Sequence, residues 1–135
     1  MAKYVFPAIF TADKEIGGYT VNFPDIPNCV TQGEEIADTF EAAQDALCLM
    51  LYDMEERGKA IPNPSNIATF STDGYSFATL VSCDTLEYRR FFDKKAVKKT
   101  LTIPNWLNEL AMKKNVNFSQ ILQNALMEEL NVKNQ

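Results

Sequence analysis

The chain has no histidine, only three cysteines, and no apolar run long enough to cross a bilayer. Each lack excludes something. Without histidine the commonest general base is gone, and with it most nucleophile–base pairs. Any catalysis would have to rest on carboxylates, lysines or tyrosines. Cys29, Cys48 and Cys83 are odd in number and widely spaced. That argues against a disulfide framework and a Cys/His zinc site, and they read as reduced thiols serving as small apolar residues. The longest apolar run, Ala46 to Tyr52, is far short of the ~20 residues of a membrane helix. The opening MAKYVFPAIF lacks the order of a secretion signal. A cytoplasmic protein without membrane association is expected. No GxGxxG, P-loop or HExxH pattern occurs, so neither cofactor nor metal is expected.

What is present suits one ordinary domain or two small ones: 135 residues, 46% of them apolar. The net charge of −5 hides a division. Residues 1–88 carry four Lys/Arg against fourteen Asp/Glu, net −10, and residues 89–135 carry nine against four, net +5. Such asymmetry points to two modules with different partners, the basic one suited to nucleic acid and the acidic one to a basic protein.

In the first module, KYVFPAIF (3–10) reads as a strand, and Pro7 should place it at a sheet edge or give it a bulge. Gly17-Gly18 marks a turn, and Tyr19, Val21 and Phe23 alternate with Thr20 and Asn22 as a second strand. Pro24 and Pro27 bracket a tight turn that Asn28 completes, because asparagine tolerates a left-handed backbone. Cys29 to Thr31 is a short third strand. A helix is predicted from about Glu35 to Arg57, with Ile36, Phe40, Ala43, Leu47 and Met54 on one face and Gly58 ending it. After KAIPNPSN (59–66), Asp73-Gly74 predicts a hairpin within Ile67 to Leu80. The expected order is β-β-β-α-β-β, an α+β fold.

The run FPAIF, GGYTVNFPDIPNCVTQG, the long Ala/Leu-rich helix and IPNPS together resemble the N-terminal domain of HicB-type antitoxins over residues 3–66. FPDIPNC is the most specific part. Asn28, where glycine is usual, and the GEEIAD helix start, without the usual Ser/Thr-like cap, depart from the pattern. The resemblance implies a truncated ribonuclease-H-like sheet that binds and neutralises a HicA-type, RNA-cleaving toxin.

The basic module opens with KKAVKKTLTIP (94–104). Val97, Leu101 and Ile103 share one strand face; Lys98, Thr100 and Thr102 share the other. Lys99 falls on the apolar face. Pro104 stops the strand. Trp106, Leu107, Leu110 and Ala111 mark one short helix, and Ile121, Leu122, Ala125, Leu126 and Leu130 a second. Asn117 and Gln120 fit its N-cap and N3 positions. Strand-helix-helix in ~40 residues cannot bury enough surface alone, and a single strand leaves an open edge. Two chains that pair strands and interleave helices solve both problems. Residues 96–131 resemble the ribbon-helix-helix family, a module that some HicB proteins carry at this place. The resemblance implies a homodimer on operator DNA that represses its own operon. Lys98, Thr100 and Thr102 would face the major groove, the start of the second helix at Asn117, Phe118 and Ser119 would grip a phosphate, and Lys95 and Lys99, with Lys94, would add attraction.

The domains are thus expected at 1–87, toxin-binding, and 88–135, linker plus DNA-binding, with Phe91 and Phe92 in the linker. The toxin contact residues are not legible. A nuclease would need converging carboxylates, and Asp25, Glu41, Asp45 and Asp53 are the candidates; turn chemistry and a wet helix face account for them instead. A stand-alone ribbon-helix-helix regulator with a ligand-sensing N-terminal domain is the competing reading, and an apolar pocket under the long helix would favour it.

Overall fold

A computed structural model of the chain describes residues 2–132. The fold is α+β and divides into two compact units, Met1–Lys95 and Ala96–Gln135. The first contains β1 (Lys3–Ala12), β2 (Tyr19–Asn22), β3 (Val30–Gly33), α1 (Ile36–Glu56), a 3-10 turn (Ile67–Thr69), β4 (Ser76–Asp84) and α2 (Thr85–Phe92). The second contains α3 (Asn105–Lys113) and α4 (Phe118–Glu129).

The strands form one antiparallel sheet in the order β3-β2-β1-β4. β1 is therefore interior, although it holds Pro7. The register explains the tolerance. Ala12 N–H donates to Tyr75 on the β4 side, whereas Asp13 N–H donates to Gly18 on the β2 side. By alternation Pro7 turns its nitrogen towards the β2 side. β2 has already ended there, at the Ile9–Asn22 pair, while β4 runs alongside from Lys3 to Thr11 without a bulge. Proline removes no ladder bond in this place. Pro7 is buried all the same.

The core lies between the sheet and α1. Phe6, Ala8 and Phe10 of β1, Val21 of β2 and Val81 and Cys83 of β4 pack with Ala43, Leu47 and Leu51 of α1. The helix buries one residue every fourth position, Thr39, Ala43, Leu47 and Leu51, as one straight stripe. Its start is held from inside: the Thr39 hydroxyl donates to the Glu35 carbonyl at 2.6 Å. Gly33 makes this close approach possible, because a Cβ there would lie 2.8 Å from the Thr39 Cα. At the other end Lys59 N–H reaches the Met54 carbonyl and Gly58 N–H the Glu55 carbonyl, with Gly58 at φ 66°. The three cysteines are free. Burial pushes the Cys29 thiol up to about 11, and Cys83 is raised by its hydrogen bond with Cys48 and by burial.

Two further expectations are corrected. Asp73-Gly74 does turn, with Tyr75 N–H on the Asp73 carboxylate and Ser76 N–H on the Asp73 carbonyl, but no hairpin forms. β4 takes β1 as its partner over nine residue pairs instead, and Ile67–Thr69 coils into the 3-10 turn. Residues 85–92 are a helix, so the linker expected from residue 88 begins inside it. Asp84 caps it by accepting from Leu86 N–H at 3.0 Å and more weakly from Glu87 N–H. The order in the first unit is β-β-β-α-β-α. Residues 93–104 are irregular in the single chain; the strand expected there is one that takes its ladder from a second copy, and one chain holds no partner for it.

Candidate interaction surfaces

The second unit exposes what a folded core would hide. Trp106 is 64% exposed, Leu110 51% and Ile121 53%, and Leu107, Leu126 and Leu130 are exposed as well. None of the described residues of α3 or α4 is buried. These are the apolar positions that the helical spacing singles out, so both stripes face outwards together.

Lys98, Lys99, Thr100 and Thr102 are exposed along the irregular stretch before Pro104. Lys95 closes the first unit, and its N–H donates to the Asp93 carboxylate. Asn117 sits at the N-cap of α4 and accepts from Gln120 N–H at 3.0 Å. The reciprocal half of the capping box is not made: the Gln120 side chain donates to Asn124 at 2.9 Å. The first-turn N–H groups of Phe118 and Ser119 keep no intrahelical acceptor. Ser119 accepts from the Gln123 amide at 3.1 Å.

In the first unit α2 is fastened to α1 by one half-buried carboxylate. Glu55 accepts from the Tyr4 hydroxyl at 2.9 Å, the Thr85 hydroxyl at 3.0 Å and Arg89 at 3.2 Å. Burial works to raise its pKa, but the hydrogen bonds this carboxylate accepts outweigh burial and hold Glu55 below the usual carboxylate range. Burial and the same carboxylate push the Tyr4 phenol up. Arg89 also pairs with Glu56 and lies over the Tyr52 ring, 4.6 Å from its centre.

The carboxylates weighed for metal chemistry are scattered. Asp25 is occupied by Ser65, whose N–H and hydroxyl both donate to it. Asp53 pairs with Arg57 at 3.0 Å. Glu41 and Asp45 stay on the α1 surface. Among the described residues no three His, Cys, Asp or Glu side chains gather where they would hold an ion, and no helix is long and apolar enough to cross a membrane.

An open groove runs beside α1, lined by Thr31, Ala42, Asp45, Ala46, Leu49, Tyr88 and Phe92. The sequence does not announce this groove, because it exists only where Tyr88 and Phe92 of α2 stand beside α1. The spacing of Asp84 and Glu87, three apart before an aromatic run, was the available sign of a helix start.

The family model for the HicB-like antitoxin of bacterial toxin–antitoxin systems matches residues 6–125. The chain belongs to this HicB-like family. It is 45% identical over 60 residues to the antitoxin HicB of Escherichia coli strain K12, covering 44% of this chain and 43% of that protein. It is 32% identical over 100 residues to antitoxin HicB 1 of Photorhabdus laumondii, covering 74% of this chain and 59% of that protein. The match thus spans about half the length of these curated HicB relatives. Among solved structures, a chain of a toxin–antitoxin complex from Streptococcus pneumoniae superposes with a TM-score of 0.61 at 31% identity, over 94% of this chain and 99% of that one. The Burkholderia pseudomallei antitoxin HicB shares the fold, with a TM-score of 0.53 at 23% identity, over 94% and 98%.

Proposed function

We propose that the chain is a non-enzymatic antitoxin of the HicB kind with two separate tasks. The first unit, a truncated ribonuclease-H-like sheet in this reading, binds and neutralises a HicA-type RNA-cleaving toxin. The second unit is a ribbon-helix-helix module. It joins a second copy into a homodimer and binds operator DNA, so that the antitoxin represses its own operon from the cytoplasm.

The observation that carries the second task is the outward display of Trp106, Leu110, Ile121, Leu126 and their neighbours on two short helices. Apolar stripes of this size are not stable facing water. A second copy supplies both the cover and the missing ladder for residues 97–103, and the polar side of the ribbon then carries Lys98, Thr100 and Thr102 into a groove. Asn117, Phe118 and Ser119 offer a phosphate their helix N-terminus, with Lys95 and Lys99 adding charge. The first task rests on the family membership and on the acidic surface of the first unit. By its structural limits that unit holds eight Lys/Arg against fifteen Asp/Glu, net −7, which suits a partner that itself binds RNA.

The test is co-expression with the adjacent reading frame, followed by co-purification and a gel shift on the upstream DNA. A stable complex that shifts this DNA is expected. Copurification without any shift removes the operator role; a shift without copurification removes the toxin role.

A further inference from the structure

A second stripe of α1 flanks its buried face and runs out to solvent. Asp38, Ala42, Asp45, Ala46 and Leu49 recur there at steps of three and four. Two of these positions are alanine and one is a leucine that is 55% exposed. α2 stands beside this stripe, held by Arg89 on Glu55 and Glu56. Its rings continue a chain of tilted and edge-on contacts that begins at Tyr52 of α1: Tyr52 to Tyr88 at 5.3 Å, Tyr88 to Phe92 at 4.5 Å and Phe92 to Phe91 at 4.8 Å. Phe91 and Phe92 remain 69% and 62% exposed. The result is the groove described above, floored by alanines and walled by Leu49, Tyr88 and Phe92. Exposed aromatic and aliphatic side chains around small ones form the kind of pocket that anchors a partner's side chain.

The charge around the groove says what sort of partner. α1 holds six acidic residues and no basic one. Glu55 and Glu56 are answered by Arg89, and Asp53 by Arg57. Asp38, Glu41 and Asp45 have no ion pair among the described residues. They follow one another turn by turn, with Asp45 inside the groove. An apolar anchor site beside three unanswered carboxylates is complementary to a basic protein surface with a central apolar side chain.

We propose that this α1–α2 groove is where the toxin docks. The proposal rests on the toxin-binding reading above and names its surface: an apolar toxin side chain enters between Leu49 and Phe92, and lysines or arginines meet Asp38, Glu41 and Asp45.

The experiment is titration calorimetry of the full chain against the HicA-type protein encoded beside it, at low and high salt. Leu49→Lys and Asp45→Lys are the variants. Both positions are exposed on a helix, and lysine is a good helix former; melting temperature checks that each variant folds. Each should weaken binding by more than about tenfold, and Asp45→Lys should also flatten the salt dependence. Leu80→Lys, exposed on the opposite sheet face, should stay within about twofold of the unaltered chain, the range expected away from an anchor site. Unaltered affinity in Leu49→Lys, or a loss confined to Leu80→Lys, overturns the surface while leaving toxin binding in place. An unaltered chain that does not bind overturns the toxin reading and the surface together. A fall in the mass of Leu49→Lys without toxin would assign the groove to a second copy and overturn the proposal.

Discussion

Asn28 sits at φ 61° in the turn that carries the chain from β2 to β3, with Ile26 N–H on the Phe23 carbonyl and Cys29 N–H on the Ile26 carbonyl. A branched side chain there meets the penalty of a left-handed backbone, so Asn28→Val should cost about 1–2 kcal/mol in urea unfolding, and Asn28→Gly should be neutral or stabilising. This residue was legible in advance because turn chemistry is local: two prolines and an asparagine within five positions leave few backbone choices. Glu55 was not legible, since its donors Tyr4, Thr85 and Arg89 lie far away in sequence and only the fold gathers them. Its folded pKa lies below the ordinary value of 4.5. The stability it contributes is therefore fully present above that value and lost as pH falls through the folded one. Glu55→Gln should flatten the rise of melting temperature with pH on the acid side of the ordinary carboxylate value, where the lowered folded form of Glu55 titrates. A profile unchanged from that of the parent chain would contradict the role of the network.

Among the elements, α1 was readable almost to its ends. Its apolar stripe is continuous over five turns, and Gly58 is a strong stop. The structure adds that α3 and α4 end as α1 does, with Asn115 at φ 52° and Asn131 at φ 55° in the place of glycine. Val116 N–H reaches the Ala111 carbonyl, and Val132 N–H reaches the Met127 carbonyl. Leu47 lies at the centre of the stripe, fully buried. Leu47→Ala should destabilise the first unit by about 2–5 kcal/mol, seen as a lower urea midpoint. β4 was misread because its partner is chosen by tertiary fit. Asp73-Gly74 signals a turn, but the neighbouring sequence does not reveal that β1 offers a nine-residue edge. α2 was missed because EYRRFF is short and its apolar residues are aromatic, and only Asp84 marks its start.

At the level of the whole chain, two compact units carry opposite surfaces, one acidic with an aromatic groove, one with basic residues beside exposed apolar helices. This separation predicts separable functions. Lys98→Ala and Thr100→Ala should each weaken operator binding by roughly 5- to 100-fold, the worth of one good base contact. Toxin neutralisation should be untouched, as measured by gel shift and by growth rescue in parallel. Loss of both together would contradict the division. The proposed ribbon is legible only as alternation over Val97 to Ile103, because in this proposal the ladder that turns alternation into a strand comes from a second molecule.

Backbone amide hydrogen exchange of the full-length protein, followed at residues 97–103 across a dilution series, tests that dependence most directly. The account predicts slow exchange at high concentration that is lost on dilution in step with dissociation of the dimer. Exchange at the rate of an open chain at every concentration, or protection that dilution does not touch, would contradict it.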